Sequence, residues 1–172
     1  MNKLIFLTAG VLLISISCSD RNPSNSNNLN CIEYWDEVSL ANFCGLTTGD
    51  FEYNTIPQDI CNADQGSTYT FDDLVSIRVY NHFSKDAAQE EYDGEVEFFE
   101  SATGFTFLNN VGDEAFGVIT TEFNKLNFAI IQVIKDNFTI YLEVNGNTAN
   151  GSNNCFDENS VVEFAKALTA PL

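Results

Sequence analysis

Nine residues, "NFAIIQVIK" at 127–135, constrain this chain's fold more than any other stretch. Ala129, Ile131 and Val133 alternate with Ile130, Gln132 and Ile134, so both faces of a strand built from them are largely apolar. A strand of that kind belongs in the middle of a sheet. The short "KDN" that follows, and then "FTIYLEVN" at 138–145, predict a tight hairpin to a second strand. Upstream, "FTFL" (105–108) and "FGVITTEF" (116–123) read as strands, with "NNVGDEA" as the turn between them. "LVSIRVYN" (74–81) alternates Val75, Ile77 and Val79 against Ser76, Arg78 and Tyr80, and "STYTF" (67–71) is its expected hairpin partner across Asp72 and Asp73.

Helical spacing appears at Ala88, Tyr92, Val96 and Phe99, which predicts a helix from Ser84 to about Glu100 with one apolar stripe. It recurs at Val161, Phe164, Ala165 and Leu168, behind "DEN" as a capping region. "VSLANFCGL" (38–46), opening at Ser39 and stopping at Gly45, predicts a helix of two turns. "FEYNTIPQDICNADQG" (51–66) reads as irregular, with turns at Pro57 and Gly66. The expected class is α+β: an antiparallel sheet of about five to six strands with two main helices packed on one face.

The N-terminus sets the address. Residues 4–16 carry no charge and follow Lys3. A span needs about 20 apolar residues, so this run fits a removable signal core. Ser17 directly before Cys18 resembles the bacterial lipobox, in which the cysteine becomes the lipidated first residue, although Ser15 departs from the aliphatic residue usual there. The following "CSD" resembles the acidic export tether of Bacteroidota lipoproteins. The expected organisation is a lipoprotein signal peptide at 1–17, a lipidated cysteine with a flexible Ser/Asn tether at 18–30, and one domain at 31–172. The expected location is the cell envelope, on the outer membrane and open to surface exposure, held through the lipid.

Four further cysteines, Cys31, Cys44, Cys61 and Cys155, form an even set suited to an oxidising compartment. Of the three connectivities open to them, Cys44 with Cys61 and Cys31 with Cys155 is the favoured one. No Cys-x-x-Cys occurs and the single histidine, His82, is remote in sequence, so no metal site or cofactor is expected. Asn62, Asp64 and Asp73 around Gly66 lack the glycine and closing glutamate of a calcium loop.

Charge is the loudest compositional feature, at −18 for the whole chain, and it excludes nucleic acid as a partner. It leaves a cationic protein or divalent cations as candidate partners. The helix at 84–100 concentrates the acids, and Glu90, Glu91, Asp93 and Glu97 are the candidate binding residues on it. Gly112, Asp113 and Glu114 are the second candidate set, against the simpler reading of Asp113 as a turn residue that bonds backbone amides. No catalytic residues emerge: G-x-S-x-G is absent, and His82 reads as a surface residue at a strand end. Tyr34, Trp35 and Tyr53 are aromatics that could stack on a sugar ring, though Tyr34 and Trp35 fit better as core cover beside Cys31.

A cysteine before a strand hairpin, a helix rich in Ala and acids, "NNVGDEAF" (109–116), paired strands ending "IYLEV" and a final "VVEFAKAL" follow in that order. Together they resemble the small extracytoplasmic bacterial lipoproteins of unknown function that carry a GDEAF-type turn, whose domain is compared with the PsbP/Mog1-like fold. The resemblance covers most of residues 38–170, and its one sharp motif runs from Val111 to Phe116, while the cysteine positions depart from the usual pattern. It implies an α+β sandwich and a binding or accessory role, and it brings no catalytic residues. The expected function is a lipid-anchored envelope module that acts through contact with an envelope protein, without catalysis. The alternatives are a carbohydrate-binding or other solute-binding lipoprotein and, third, a small hydrolase.

Overall fold

The computed structural model describes residues 29–56 and 59–172. The expected signal peptide, Cys18 and the tether as far as residue 28 lie outside the described residues. The strands are β1 (Phe51–Ile56), β2 (Ile60–Gln65), β3 (Leu74–Asn81), β4 (Phe105–Phe107), β5 (Glu114–Glu122), β6 (Lys125–Lys135) and β7 (Phe138–Asn145). They form one antiparallel sheet in the order β1-β2-β3-β7-β6-β5-β4. The helices are α1 (Cys31–Glu37), α2 (Lys85–Phe99) and α3 (Glu158–Thr169).

The class remains α+β, but two expectations need correction. The sheet has seven strands rather than five to six. Its helices also lie on both faces, for a reason written in β6. Ala129, Ile131 and Val133 join a core with Tyr34 and Trp35 of α1 and with Val161, Phe164, Ala165 and Leu168 of α3. Ile130 and Ile134 point the other way and pack with Ala88 and Tyr92 of α2, beside Phe116 and Val118 of β5. A strand apolar on both faces requires cover on both, since successive side chains alternate sides. Cover on the second face is partial. Helix α2 packs on β6 and β7. On the β1–β3 half of that face the strand alternation places Glu52, Asn54, Asn62, Asp64, Ser76 and Arg78, opposite buried Phe51, Cys61, Ala63, Val75, Ile77 and Val79.

Residues 51–56 and 60–65, expected to be irregular, are the first two strands. Their Asn and Asp residues sit on the open face while Phe51, Cys61 and Ala63 fill the core, so a half-buried alternation hides behind turn-forming residue types. The partner of β3 is consequently β2, and "STYTF" is no strand. It ends instead at buried Asp73, whose carboxylate accepts from the Tyr69 hydroxyl (2.8 Å) and the Phe156 amide (2.9 Å). The expected helix at 39–45 shrinks to one 3-10 turn, Leu40–Asn42. Cys44 and Gly45 then take φ of +51° and +74°, which no right-handed helix accommodates.

The disulfides are Cys31–Cys61 and Cys44–Cys155, with Cα separations of 5.4 and 5.7 Å, in place of the favoured pairing. Cys31 opens α1, capped by Asn30, and α1 packs on the face of β2 that Cys61 occupies. Cys44 lies on the loop whose Phe43 ring packs 4.8 Å from Phe164 of α3, so it meets Cys155 just ahead of that helix. Tyr34 completes the closure by donating its hydroxyl to the Leu168 carbonyl at 2.8 Å.

Candidate functional site

Helix α2 begins at Ser84, whose hydroxyl accepts from the Ala87 amide at 3.1 Å. Its apolar stripe of Ala88, Tyr92, Val96 and Phe99 faces the sheet. Asp86, Glu90, Asp93 and Glu97, at spacings of four, three and four, therefore share the opposite side and are exposed. Three of the four candidate acids thus stand together. The helix carries one base, Lys85, and that ammonium is paired with Asp136.

Glu91 does something different. It leans into the seam between α2 and the sheet, where its carboxylate accepts from the Thr139 hydroxyl at 3.0 Å and lies 3.8 Å from Arg78 and 3.5 Å from His82. His82 Nε2 is 2.9 Å from the same Thr139 oxygen. Thr139 has one proton and gives it to Glu91, so Nε2 must carry the hydrogen of the His82 contact. Burial holds the imidazole pKa down, with Glu91 opposing and Arg78 assisting. The His82 side chain is 7% exposed, so the expectation of a surface histidine is corrected. Thr139, 2% exposed, is closed to any substrate, and the cluster acts as a polar pin between α2 and strands β3 and β7.

The Gly112–Glu114 set divides as well. Gly112 has φ +58°, and a Cβ there would stand 2.4 Å from Val133 Cγ1 and 2.5 Å from the Ile134 carbonyl, so glycine is required. The Asp113 carboxylate accepts from the Asp136 amide (2.8 Å) and from Lys135 (3.0 Å), which clamps the β6–β7 turn to the strand beside it. Those contacts hold its pKa below the usual carboxylate range. Glu114 is exposed and turned to the α2 side, where burial first and then its charge, together with that of Asp93, push the Tyr92 phenol up to about 12. Glu114 thus lies against the middle of the acidic helix, while Asp113 lies near its first residue, Lys85.

Beside the acids lies a feature that the residue-by-residue reading did not single out. Five phenyl rings run in contact from Phe98 through Phe99, Phe116 and Phe105 to Phe107, with centroids 4.8 to 5.9 Å apart. The inner rings belong to the core, but Phe98 is 75% exposed and Phe107 is 61% exposed. One signal was available in the sequence, because Phe98 falls off the apolar stripe and onto the polar side of α2. Phe107 shares a face with Phe105 on edge strand β4, and the ladder bonds of Leu108 and Gly104 to β5 leave the Phe107 amide directed outward. Tyr34 and Trp35, by contrast, are core residues, and neither offers a stacking surface.

Among the described residues, no three His, Cys, Asp or Glu side chains converge to hold a metal ion. No described helix is long and apolar enough to cross a membrane. Comparison of the chain with family models, with curated proteins and with solved structures gives no match.

Proposed function

We propose that this chain is a lipid-anchored module of the bacterial cell envelope that works by binding another envelope protein through the outer side of α2 and edge strand β4. The observation that carries the reading is the pair of exposed rings, Phe98 and Phe107, beside a helix face of Asp86, Glu90, Asp93 and Glu97. Exposed aromatics continuous with a core bind by burying area, and the acids beside them select a partner. Such a partner carries basic side chains around an apolar anchor, since a chain with net charge −18 attracts cationic surfaces and repels anionic ones. The lipid on Cys18 supplies the membrane contact, and its reading rests on the signal-like sequence ahead of it.

The test is affinity capture from the native membrane fraction at low and high salt. It compares the wild type with Glu90→Lys/Asp93→Lys/Glu97→Lys and with Phe98→Ser. The expected result is one stoichiometric basic envelope protein, lost in both variants and released by salt. A captured protein that is indifferent to both variants removes this surface from the reading. In parallel, Cys18→Ala is expected to abolish incorporation of labelled palmitate and to move the protein into the soluble fraction; an unchanged distribution overturns the lipid anchor.

A further inference from the structure

At the far end of the β5–β6 hairpin, away from the polar pin, Glu122 pairs with Lys125 across a turn of Phe123 and Asn124. Both turn residues have positive φ, +51° and +59°. Asn is at home in that conformation, whereas a bulky side chain there is an outlier. The Phe123 ring gains nothing from the fold in return: it is 78% exposed and makes no ring contact with any described residue. A strained backbone that displays an apolar ring to water points to a use outside the fold.

Facing this tip is the "NGNTANGSNN" loop (145–154), and it is built rather than loose. A Cβ on Gly146 would overlap the Leu126 carbonyl at 1.9 Å, so glycine lets the loop lie directly against β6. Lys125 reaches under the loop and donates to the Ala149 carbonyl (2.9 Å), the Ser152 carbonyl (3.3 Å) and the Ser152 hydroxyl. Asn154 accepts from the Asn147 amide and donates to its carbonyl, and the Thr148 hydroxyl donates to Glu122 at 3.2 Å. Between tip and loop is an open cleft of about 690 Å³ lined by Glu122, Phe123, Lys125, Asn147, Thr148 and Asn150. Its volume lies within the ~300–1,000 Å³ of small-ligand sites.

We infer that this cleft binds a neutral saccharide, with one sugar ring stacked on Phe123 and its hydroxyls bonded by the side chains of Glu122, Thr148 and Asn150. A pyranose presents one apolar C–H face and a rim of hydroxyls, which matches one phenyl face bordered by a carboxylate, a hydroxyl and an amide. The ammonium of Lys125 is spent on the loop. Glu122 and the net charge of −18 therefore exclude anionic sugars and nucleotides. A lipid surface is equally poorly served by a single ring set among Glu and Asn. This site is separate from the α2 surface and independent of any protein partner there.

The experiment titrates the disulfide-intact domain with cellotetraose, maltotetraose, N-acetylchitotetraose and tetragalacturonate, followed by amide NMR. Wild type is expected to bind at least one neutral tetrasaccharide, shifting Phe123–Lys125 and Asn147–Asn150, and to ignore tetragalacturonate. Phe123→Gly relieves the turn while deleting the ring. It is therefore expected to raise the melting temperature and to weaken binding by roughly tenfold, the worth of one aromatic stack. Phe98→Ser is expected to bind the sugar as wild type does. Failure of all three neutral sugars, equal binding by Phe123→Gly, a lowered melting temperature in that variant, or preference for tetragalacturonate each overturns the inference.

Discussion

The two faces of the sheet are built to different standards. On the face of α1 and α3 the core is continuous from Trp35 to Leu168, is tied by both disulfides, and among the described residues leaves one buried side-chain polar atom, the Trp35 indole nitrogen, without a partner. On the face of α2 the apolar cover stops at β7, and the Tyr92 hydroxyl and both polar atoms of Gln132 are buried with no hydrogen bond. Helix α2 is held there by the Glu91–Thr139–His82 pin as well as by packing. The lesson is that stability is concentrated on one face, which leaves the other free to carry surface chemistry: open strands, an acidic helix and exposed rings.

The largest effects should come from the closed face. Opening Cys44–Cys155, which spans 111 residues, is expected to cost about 4.8 kcal/mol in the chain-entropy model. Opening Cys31–Cys61, which spans 30 residues, is expected to cost about 3.6 kcal/mol. Serine double variants followed by guanidinium denaturation check the order; equal stability in all three proteins would break the comparison. Phe164→Ala empties a fully buried site between Phe43 and Phe156 and is expected to cost about 3–5 kcal/mol.

On the α2 face the sign reverses. Gln132→Met removes two unpaired polar atoms at nearly constant volume and is expected to stabilise the protein by about 1–2 kcal/mol. A loss of stability would show that the amide is satisfied in solution and would draw the two faces together.

A smaller effect distinguishes them by pH. His82 faces Glu91 from α2, Arg78 and Tyr80 from β3, which it follows, and Thr139 from β7. Its folded pKa lies below the ordinary value of about 6.5, so the unfolded chain binds the proton more tightly. Stability is therefore full above that value and declines as pH falls through the folded pKa. His82→Gln keeps a donor for Thr139 and is expected to remove this slope while leaving the slope below pH ~4 intact. An unchanged profile means that the pin does not titrate.

How much of this was legible depended on which signal each residue carried. Helices α2 and α3 and strands β3, β5, β6 and β7 could be read because their apolar spacing extends over eight residues or more. The sided cover was also present in Ile130 and Ile134, but assigning it required knowing that Tyr92 and Phe99 meet those residues, which is a tertiary fact. Strands β1 and β2 were hidden by Asn and Asp residues, which favour turns on their own and are tolerated on an open sheet face. Glu91 could not be separated from Glu90 by composition; a rotation of one residue around the helix sends one into the seam and the other to solvent. The cysteine pairing followed the position of α1, which the sequence reading did not contain.

The finest comparison sets two depressed carboxylates against each other, one on each region. Asp157 caps α3 on the closed face, accepting from the amides of Ser160 (2.7 Å) and Asn159 (3.0 Å), and the bonds from Ser160 chiefly hold its pKa down. Asp113 clamps the turn beneath the start of α2, held down first by the Asp136 amide and then by Lys135. Both folded pKa values lie below the unfolded value of about 3.9, so the stability each confers is present above that pH and is lost as pH falls through the folded value. Asp157→Ala is expected to cost about 1 kcal/mol, while Asp157→Asn, an equally good cap, keeps the stability at pH 7 and flattens the acid slope. Asp113→Asn should cost less, because the carboxylate is half-exposed and its pairing with Lys135 is screened by water, and the loss should shrink further in 1 M salt, where screening already weakens the Lys135 contact. A salt-independent loss at Asp113 larger than that at Asp157 would mean that the β6–β7 turn, and not the α3 cap, governs acid unfolding, and the α2 side would then be the better-anchored half.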